Sequence, residues 1–366
     1  MKYSNRKQRN TGKPAQVPNS SGFIPFDKAL EVFLNAHEAE GHSSYTGVTY
    51  RSVLVGFWGY MHEVHHYEMA DQVTEADILE WVVYLRSAIS HRGRPYTSST
   101  VQSKVRVVIL FYHWLFKHKK IAVNPVVEIR EPKADKVLIR VYTEEDLIRL
   151  DAACDRAPRG PSLTEDERKA LAARDRAILW LLLSTGIRAG ELCGLRFSDL
   201  NWGESIIYVR GKGAKERSVP FGKVARQHLD TYIQYWRGAP DDSNEFVFIT
   251  PFGTRMRATN TVQSIFGRLK RVSGIADKRV SAHTCRHWFA VNAIRQGMPT
   301  KALKDILGHE TWEMIEIYVK LAEEDLKEIY KTFSPADRLA MHHSSKGKRE
   351  KAREWRQSRK RSNRSD

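Results

Sequence analysis

Four short stretches of the sequence carry side chains that could bind a phosphate or move a proton. In "STGIRAGEL" (184–192), Arg188 follows a glycine that can end a helix, and Glu191 stands three residues later. A carboxylate at this spacing can orient the guanidinium and leave its other N–H groups available to an anion. Considered alone, an ordinary surface ion pair explains this stretch equally well.

The second stretch, "VRGKGAKERSVP" (209–220), has the pattern of a β-hairpin with Lys212 and Lys215 in a glycine-rich turn. Glycines let the backbone approach another molecule closely, and a lysine there can contact a phosphate or donate a proton to a departing oxygen. A solvated turn without a function is the simpler explanation when the hairpin is considered alone.

The third stretch, "SAHTCRHWFAVNAIRQG" (281–297), predicts a helix with Ser281 as its N-cap. His283 and Arg286 share one face of the first turn, and His287 follows directly. Backbone N–H groups and the helix dipole favour an anion at this end. The pattern indicates a phosphate-binding helix terminus, and the alternative is a merely charged helix end.

The fourth stretch, "KDILGHETWEMIEIYVK" (304–320), predicts a helix that ends at Leu307, a C-cap at Gly308, then His309 and a helix carrying Tyr318. A single tyrosine in a helix is usually half-buried packing. Tyr330 is a competing hydroxyl, and its longer spacing from His309 disfavours it.

Together these stretches supply two arginines, a lysine, two histidines and a tyrosine, without an acidic cluster suited to Mg²⁺. This combination suits phosphoryl transfer through a covalent phosphotyrosine. The arginines would neutralise the charge on the phosphate, the lysine would protonate the departing 5′-oxygen, and a histidine would manage the proton of the tyrosine. No metal or other cofactor is expected.

The motifs "STGIRAGEL", "GKGAKER", "HTCRH" and "LGH…IEIYVK", in this order and spacing, resemble those of the tyrosine recombinases of the phage-integrase superfamily, with a pattern close to the Xer-like and transposon-borne members. The resemblance covers about residues 24–335 and is strongest over 176–320. Two small departures, Cys285 and the Val319–Lys320 pair after the tyrosine, touch no catalytic position.

The resemblance assigns a role to each side chain. Arg188 and Arg286 would clamp the scissile phosphate, and Glu191 would hold Arg188 in place. Lys212 would be the general acid, and Tyr318 would be the nucleophile. Two histidines would complete the pocket: His283 and His309.

The elements that must position these residues form a mainly α fold with a small antiparallel sheet, in the α+β class. About four helices are predicted between Phe26 and Lys120, and strands at 205–210 and 217–221, with 245–250 as the candidate for a third. Helix starts are marked by three capping boxes: Thr74 with Asp77, Thr143 with Asp146, and Thr164 with Glu167.

The expected domains are a basic disordered arm (1–21), a helical core-binding, SAM-like DNA-binding domain (22–123), a linker (124–142), a catalytic domain (143–335) and a basic tail (336–366).

The net charge of +17 and the pI near 9.7 favour nucleic acid as the partner, with a membrane surface as the second candidate. The longest apolar run, "AILWLLL" (177–183), is far shorter than the roughly 20 residues of a membrane span. No apolar segment follows the basic N-terminus, and the three cysteines show no disulfide or metal spacing. We therefore expect a soluble protein of the prokaryotic cytoplasm, associated with the nucleoid.

The resemblance further implies that two domains close around duplex DNA, and that four protomers synapse two recombination sites, where accessory recombination proteins could act as further partners. The segment 323–333 could dock on a neighbouring protomer or pack as an ordinary terminal helix. Backbone-contacting residues are expected on or just after one helix. The candidates are Lys104, Arg106, Lys117, Lys119 and Lys120.

The preferred function is a site-specific recombinase. The alternatives are a topoisomerase that also forms a phosphotyrosine and a non-catalytic DNA-binding regulator with the same fold. Extra length at both ends and the insertion at 155–171 favour an enzyme of a mobile element, which would integrate, excise or resolve it. The DNA sequence that it recognises cannot be read from the chain.

Overall fold

The computed structural model describes residues 24–90, 93–135, 139–156, 163–211, 216–238, 245–308, 311–322 and 353. Helices dominate, and three short strands form one antiparallel sheet, so the expected α+β class is confirmed. The chain divides into two compact units between residues 137 and 138. The predicted basic arm at 1–21, the segment 323–333 and, apart from residue 353, the basic tail at 336–366 lie outside the described residues.

The first unit is built from four α-helices, as the sequence predicts. They are α1 (Phe26–Ala39), α2 (Ser44–His65), α3 (Glu75–Ser87) and α4 (Ser98–Lys117). The predicted capping box begins α3, where Thr74 accepts from the Asp77 N–H and Asp77 accepts from the Thr74 N–H. These side chains satisfy N–H groups that a helix start leaves unpaired.

Aromatic rings fill the core of the first unit. Phe111 of α4 lies edge-on to Phe26 and Phe33 of α1, with ring centroids 5.5 and 5.2 Å apart. Phe57 of α2 meets Trp81 of α3 at 4.9 Å. All five rings are buried, so each helix is held mainly by the apolar area that it removes from water.

The second unit contains eight further α-helices in the described residues. They are α5 (Glu144–Arg156), α6 (Glu165–Thr185), α7 (Ala189–Gly194), α8 (Lys223–Tyr232), α9 (Gln263–Ser273), α10 (Ala282–Arg295), α11 (Thr300–Leu307) and α12 (Glu313–Ala322). The structure confirms the predicted capping pairs at Thr143 and Thr164 and the predicted N-cap Ser281. Helices α6 and α11 end in left-handed glycines, Gly186 and Gly308, also as predicted.

The sheet has the order β1 (Leu200–Asn201), β2 (Ile206–Arg210) and β3 (Glu216–Pro220), and all neighbours are antiparallel. The proposal of a third strand at 245–250 is wrong. Val247 donates to the Leu195 carbonyl, and Phe197 donates to the Glu245 carbonyl. Pairing stops there because the partner segment turns into a 3₁₀ helix at Phe197–Asp199, so only isolated bridges form.

Helix α10 is central to the second unit, since it packs against α6 on one side and α12 on another. This arrangement brings the C-terminal ends of α6 and α11 to the first turns of α10. None of the helices in the described ranges combines the length and the apolar character that crossing a membrane requires.

Candidate functional site

Arg286 is the centre of the candidate site, and its side chain is almost fully buried. Its Nη1 donates to the Gly186 carbonyl at 2.8 Å, and its Nη2 donates to the Leu307 carbonyl at 2.8 Å. Carbonyls at helix C-termini lack partners within their helix and carry the negative end of its dipole. The guanidinium therefore joins α6, α10 and α11 and is fixed by all three.

Burial lowers the pKa of Arg286 to about 10, and the positive charge of Arg188 acts in the same direction. The group remains cationic at neutral pH. Among the described residues, these two hydrogen bonds of Arg286 go to neutral carbonyls, and the carboxylate whose charge acts on it is Glu191. An anion that reaches the site would therefore be strongly attracted.

This arrangement of helices requires glycine at position 186. Its φ of +63° is unfavourable for other residues, and a Cβ there would lie 2.6 Å from Phe289 Cδ1 and 2.8 Å from Leu307 Cδ2. A side chain would push α6 away from α10 and α11. The glycine that ends α6 thus also sets the position of one carbonyl that holds Arg286.

Arg188 is the N-cap of α7 and has a side chain that is 47% exposed. Its Nη1 donates to Glu191 Oε1 at 3.0 Å, its Nη2 to the Gly308 carbonyl at 3.1 Å, and its backbone N–H to Glu191 Oε2 at 2.8 Å. The contact between Glu191 and Arg188 that the sequence suggests is present. Half of the arginine remains open to a ligand.

A second arginine, Arg217 of β3, holds the same carboxylate and was missed by the sequence reasoning. It donates two hydrogen bonds to Glu191, at 2.9 and 2.8 Å, and its Nε donates to the Ile306 carbonyl at 2.7 Å. Burial alone would raise the pKa of Glu191, but the hydrogen bonds from Arg217 and Arg188 and their charges hold it below its ordinary value. Glu191 is therefore an ionised, buried bridge between the two arginines.

Tyr318 of α12 is buried within the second unit. Its hydroxyl lies 3.1 Å from His287 Nδ1, and Arg286 is close enough to act on it electrostatically. Burial raises the pKa of Tyr318, and the positive charge of Arg286, its hydrogen bond and Arg188 counteract this only in part. The hydroxyl is thus protonated at neutral pH and faces both a cation and an imidazole.

His283 lies one turn before His287 on α10, with ring centroids 4.1 Å apart. It is exposed, unlike the buried His287. Although part of its ring reaches solvent, the surrounding protein removes enough water from the imidazole to lower its pKa, and Arg286, Arg279 and Arg188 lower it further. A neutral, accessible imidazole beside two arginines can exchange hydrogen bonds with a bound phosphate.

The structure brings together five of the residues that the sequence singles out, and these are Arg188, Glu191, His283, Arg286 and Tyr318. Lys212, Lys215 and His309 lie outside the described residues. His287, to which the sequence reasoning gave no role, is the histidine in contact with Tyr318. Nothing local marks that pair, because 31 residues separate its members.

The candidate DNA-contacting residues of the first unit differ in whether their side chains already contact other groups of the protein. Lys104 lies 4.9 Å from the ring centre of Tyr96, and Arg106 donates two hydrogen bonds to Glu131 at 2.9 and 2.7 Å. Burial lowers the pKa of Lys104. The remaining candidates are exposed at or beyond the end of α4: Lys117, Lys119 and Lys120.

Two groups of side chains in the described ranges are close enough to share a metal ion, and both belong to the first unit. They are His37 with Glu40 and His42, and His65 with Asp77 and Glu80. In the second group the carboxylates already accept hydrogen bonds from Tyr67 and Tyr60. Neither group includes a residue of the candidate site, whose positive charge comes from its arginines.

The chain is similar to known proteins in sequence and in structure. A model described as the phage integrase family matches residues 143–325. The tyrosine recombinase XerC of Staphylococcus aureus (strain MRSA252) is 27% identical over 306 residues, which cover 83% of this chain and 96% of that protein.

Two solved structures share the fold. The lambda integrase tetramer bound to a Holliday junction aligns with a TM-score of 0.60 at 16% identity, over 84% of this chain and 83% of that one. The Tn1549 transposon integrase in complex with circular intermediate DNA aligns with a TM-score of 0.59 at 20% identity, over 81% and 95%.

Proposed function

The chain belongs to the phage integrase family, and from this premise we propose that Tyr318 attacks a DNA phosphate held by Arg188 and Arg286. The chain is a site-specific recombinase of the tyrosine type, an enzyme that cuts and rejoins DNA. Neither a topoisomerase nor a non-catalytic regulator is favoured. The observation that carries the proposal is the buried Arg286 guanidinium, fixed by the Gly186 and Leu307 carbonyls, whose positive charge also acts on the Tyr318 hydroxyl.

The two arginines would bind the phosphate in different ways. Arg286 is fixed by two carbonyls and supplies a preorganised charge, which stabilises the extra negative charge of the transition state without reorganising. Arg188 is half exposed and oriented by Glu191, so it can close on the other phosphate oxygen. His283, neutral and accessible, adds a hydrogen bond.

Attack by Tyr318 forms a 3′-phosphotyrosine and releases a 5′-hydroxyl. We assign the proton for the departing oxygen to Lys212 and a further phosphate contact to His309, on the resemblance of their motifs. The energy of the broken bond is kept in the phosphotyrosine, so a 5′-hydroxyl of a second strand can reverse the step. Because the free chain covers Tyr318, its hydroxyl must become accessible before in-line attack.

The partners proposed for this chain are double-stranded DNA at specific sites and further copies of itself. The lambda integrase tetramer on a Holliday junction is the precedent for a synapse of four protomers. The high positive charge fits a polyanionic partner. We also propose that the enzyme serves a mobile element and acts in a prokaryotic cytoplasm, at the nucleoid, where accessory proteins could assist it.

The test of Tyr318 needs a substrate, which can be obtained without knowing the natural site. A random-sequence pool of nicked duplexes is incubated with the wild-type chain, and the DNA that stays attached under denaturing conditions is amplified. We call the product the selected suicide duplex. The nick releases the 5′ fragment and traps the covalent intermediate.

We expect Tyr318→Phe to form no covalent adduct with the selected suicide duplex and to bind it as tightly as the wild type does. Tyr330→Phe is the matched control and should form adducts at the wild-type rate. Adducts are counted on denaturing gels, and binding is measured by gel shift. Persistent adducts with Tyr318→Phe and their loss with Tyr330→Phe would overturn the assignment.

A further inference from the structure

We propose that His287 is a further catalytic residue, whose Nδ1 accepts the proton of Tyr318 as the hydroxyl attacks the phosphate. The inference rests on the proposed function, in which Tyr318 is the nucleophile. It differs from the expectation drawn from the motifs, because His287 belongs neither to the phosphate-binding pair on α10 nor to the stretch around His309.

The contact geometry allows the Tyr318 hydroxyl to donate a hydrogen bond to His287. Nδ1 of His287 lies 3.1 Å from the Tyr318 hydroxyl oxygen, and the two ring planes meet at 61°. A phenol has one proton to donate, and the positive charge of Arg286 acts on its oxygen, which favours donation of that proton to a neutral acceptor. We take the tautomer of His287 in which Nε2 carries the ring proton, so that the Tyr318 hydroxyl donates to Nδ1.

Burial makes a local base necessary. Tyr318 and His287 are both buried, so at neutral pH, where hydroxide is scarce, hydroxide would remove the phenol proton only slowly. Burial also raises the pKa of Tyr318, although Arg286 stabilises the tyrosinate by charge and hydrogen bond. An imidazole in contact accepts a proton near neutral pH, and its exposed neighbour His283 remains available for the phosphate.

The step is balanced in atoms and charge. The bond from the Tyr318 oxygen to phosphorus forms and the bond from phosphorus to the 5′-oxygen breaks. The phenol proton moves to His287 Nδ1, which becomes an imidazolium, while the 5′-oxygen takes a proton from the general acid assigned to Lys212. In rejoining, His287 returns its proton to the tyrosine oxygen, so no co-reactant is consumed.

Two substitutions separate proton transfer from packing. His287→Asn places an amide where Nδ1 was, so it can still accept the hydrogen bond but cannot take the proton. His287→Phe keeps a ring and removes the acceptor. We expect both variants to bind the selected suicide duplex normally and to form adducts at least about 100-fold more slowly at neutral pH. His66→Asn, at an exposed histidine of the first unit, is the matched control and should match the wild type.

The pH profile adds a readout that a packing role would not change. The wild-type cleavage rate should level off once His287 is neutral, whereas the rate of His287→Asn should keep rising with pH as hydroxide takes over. Among the described residues, the titratable groups in contact with His287 include Tyr318 and His283, and the nearby fixed charges include Arg286 and Arg188. Parallel profiles for the two proteins would contradict the proposal.

Chemical substitution of the reactants supplies the second measurement. Replacing Tyr318 by 3,5-difluorotyrosine makes the phenol more acidic and should restore much of the rate in His287→Asn. A sulfur in place of the bridging 5′-oxygen should rescue Lys212→Ala and leave the His287→Asn defect in place. Cleavage by His287→Asn within threefold of the wild type overturns the role of His287. Adducts on Tyr318→Phe would instead overturn the proposed function.

Discussion

The core of the first unit and the site of the second unit are stabilised in different ways. In the first unit, Phe57, Phe111 and their neighbours pack ring against ring, and this attraction depends on shape and buried area. In the second unit, Arg286 and Arg188 are held by hydrogen bonds to particular carbonyl oxygens. Apolar packing tolerates exchanges of similar volume, whereas hydrogen bonds to fixed acceptors do not.

The largest effect is expected at Arg286, where directional bonding is strongest. The Arg286→Lys variant keeps the positive charge. A single ammonium, however, cannot hydrogen-bond both carbonyls and a phosphate as a planar guanidinium can. We expect adduct formation on the selected suicide duplex to fall by about 1,000-fold or more. Arg226→Lys, on the exposed face of α8, is the control. A drop of less than tenfold for Arg286→Lys would show that charge alone is sufficient.

The next effect is expected at the glycine that places one of these carbonyls. Gly186→Ala should lower the free energy of unfolding by about 3 kcal/mol, because the left-handed backbone and the contact with Phe289 both oppose a methyl group. Gly190→Ala has open space around it in α7 and should be neutral or slightly stabilising. Chemical denaturation of the full chain compares the two, and equal stabilities would contradict the assignment.

A smaller effect, with a defined pH dependence, is expected at Glu191. Burial opposes ionisation, but Arg217 and Arg188 lower its pKa below the ordinary 4.5, so the stabilisation is complete above that pH. It is lost as the pH falls through the lowered pKa. Glu191→Gln should cost about 2 kcal/mol at pH 7, and the difference from the wild type should shrink on acidification. Denaturation at several pH values measures this, and a constant difference would exclude a charged role.

The smallest effect is expected in the aromatic core. Phe57→Leu keeps an apolar side chain of similar size and should lower stability by about 1 kcal/mol, with adduct formation unchanged. Denaturation and gel assays on the same preparation provide both numbers. If this variant lost as much activity as Arg286→Lys, the contrast between core and site would be wrong.

Local rules made much of the fold predictable. Capping pairs such as Thr74 with Asp77, and the glycines at 186 and 308, lie within a few residues of the helix ends that they define. The failed strand at 245–250 had the right apolar pattern, but strand formation depended on a partner segment that the pattern does not contain.

The candidate site was predictable only in part, for a related reason. Arg188 and Glu191 are near neighbours in sequence, so their contact could be anticipated. Arg217 reaches Glu191 across 26 residues and His287 reaches Tyr318 across 31, and no spacing rule connects residues so far apart. Which histidine meets the tyrosine is decided by the packing of α10 on α12.

The bonds from Arg286 to Gly186 and Leu307 end on main-chain oxygens, which every amino acid possesses. Replacing Leu307 by another residue cannot delete its acceptor; only a change that moves the backbone can. Few substitutions in the segments that supply these carbonyls can therefore remove the hydrogen bonds of Arg286. Relatives that evolve from this chain can therefore change the residues on their DNA-contacting surfaces and helix exteriors and still keep the carbonyl acceptors that hold Arg286.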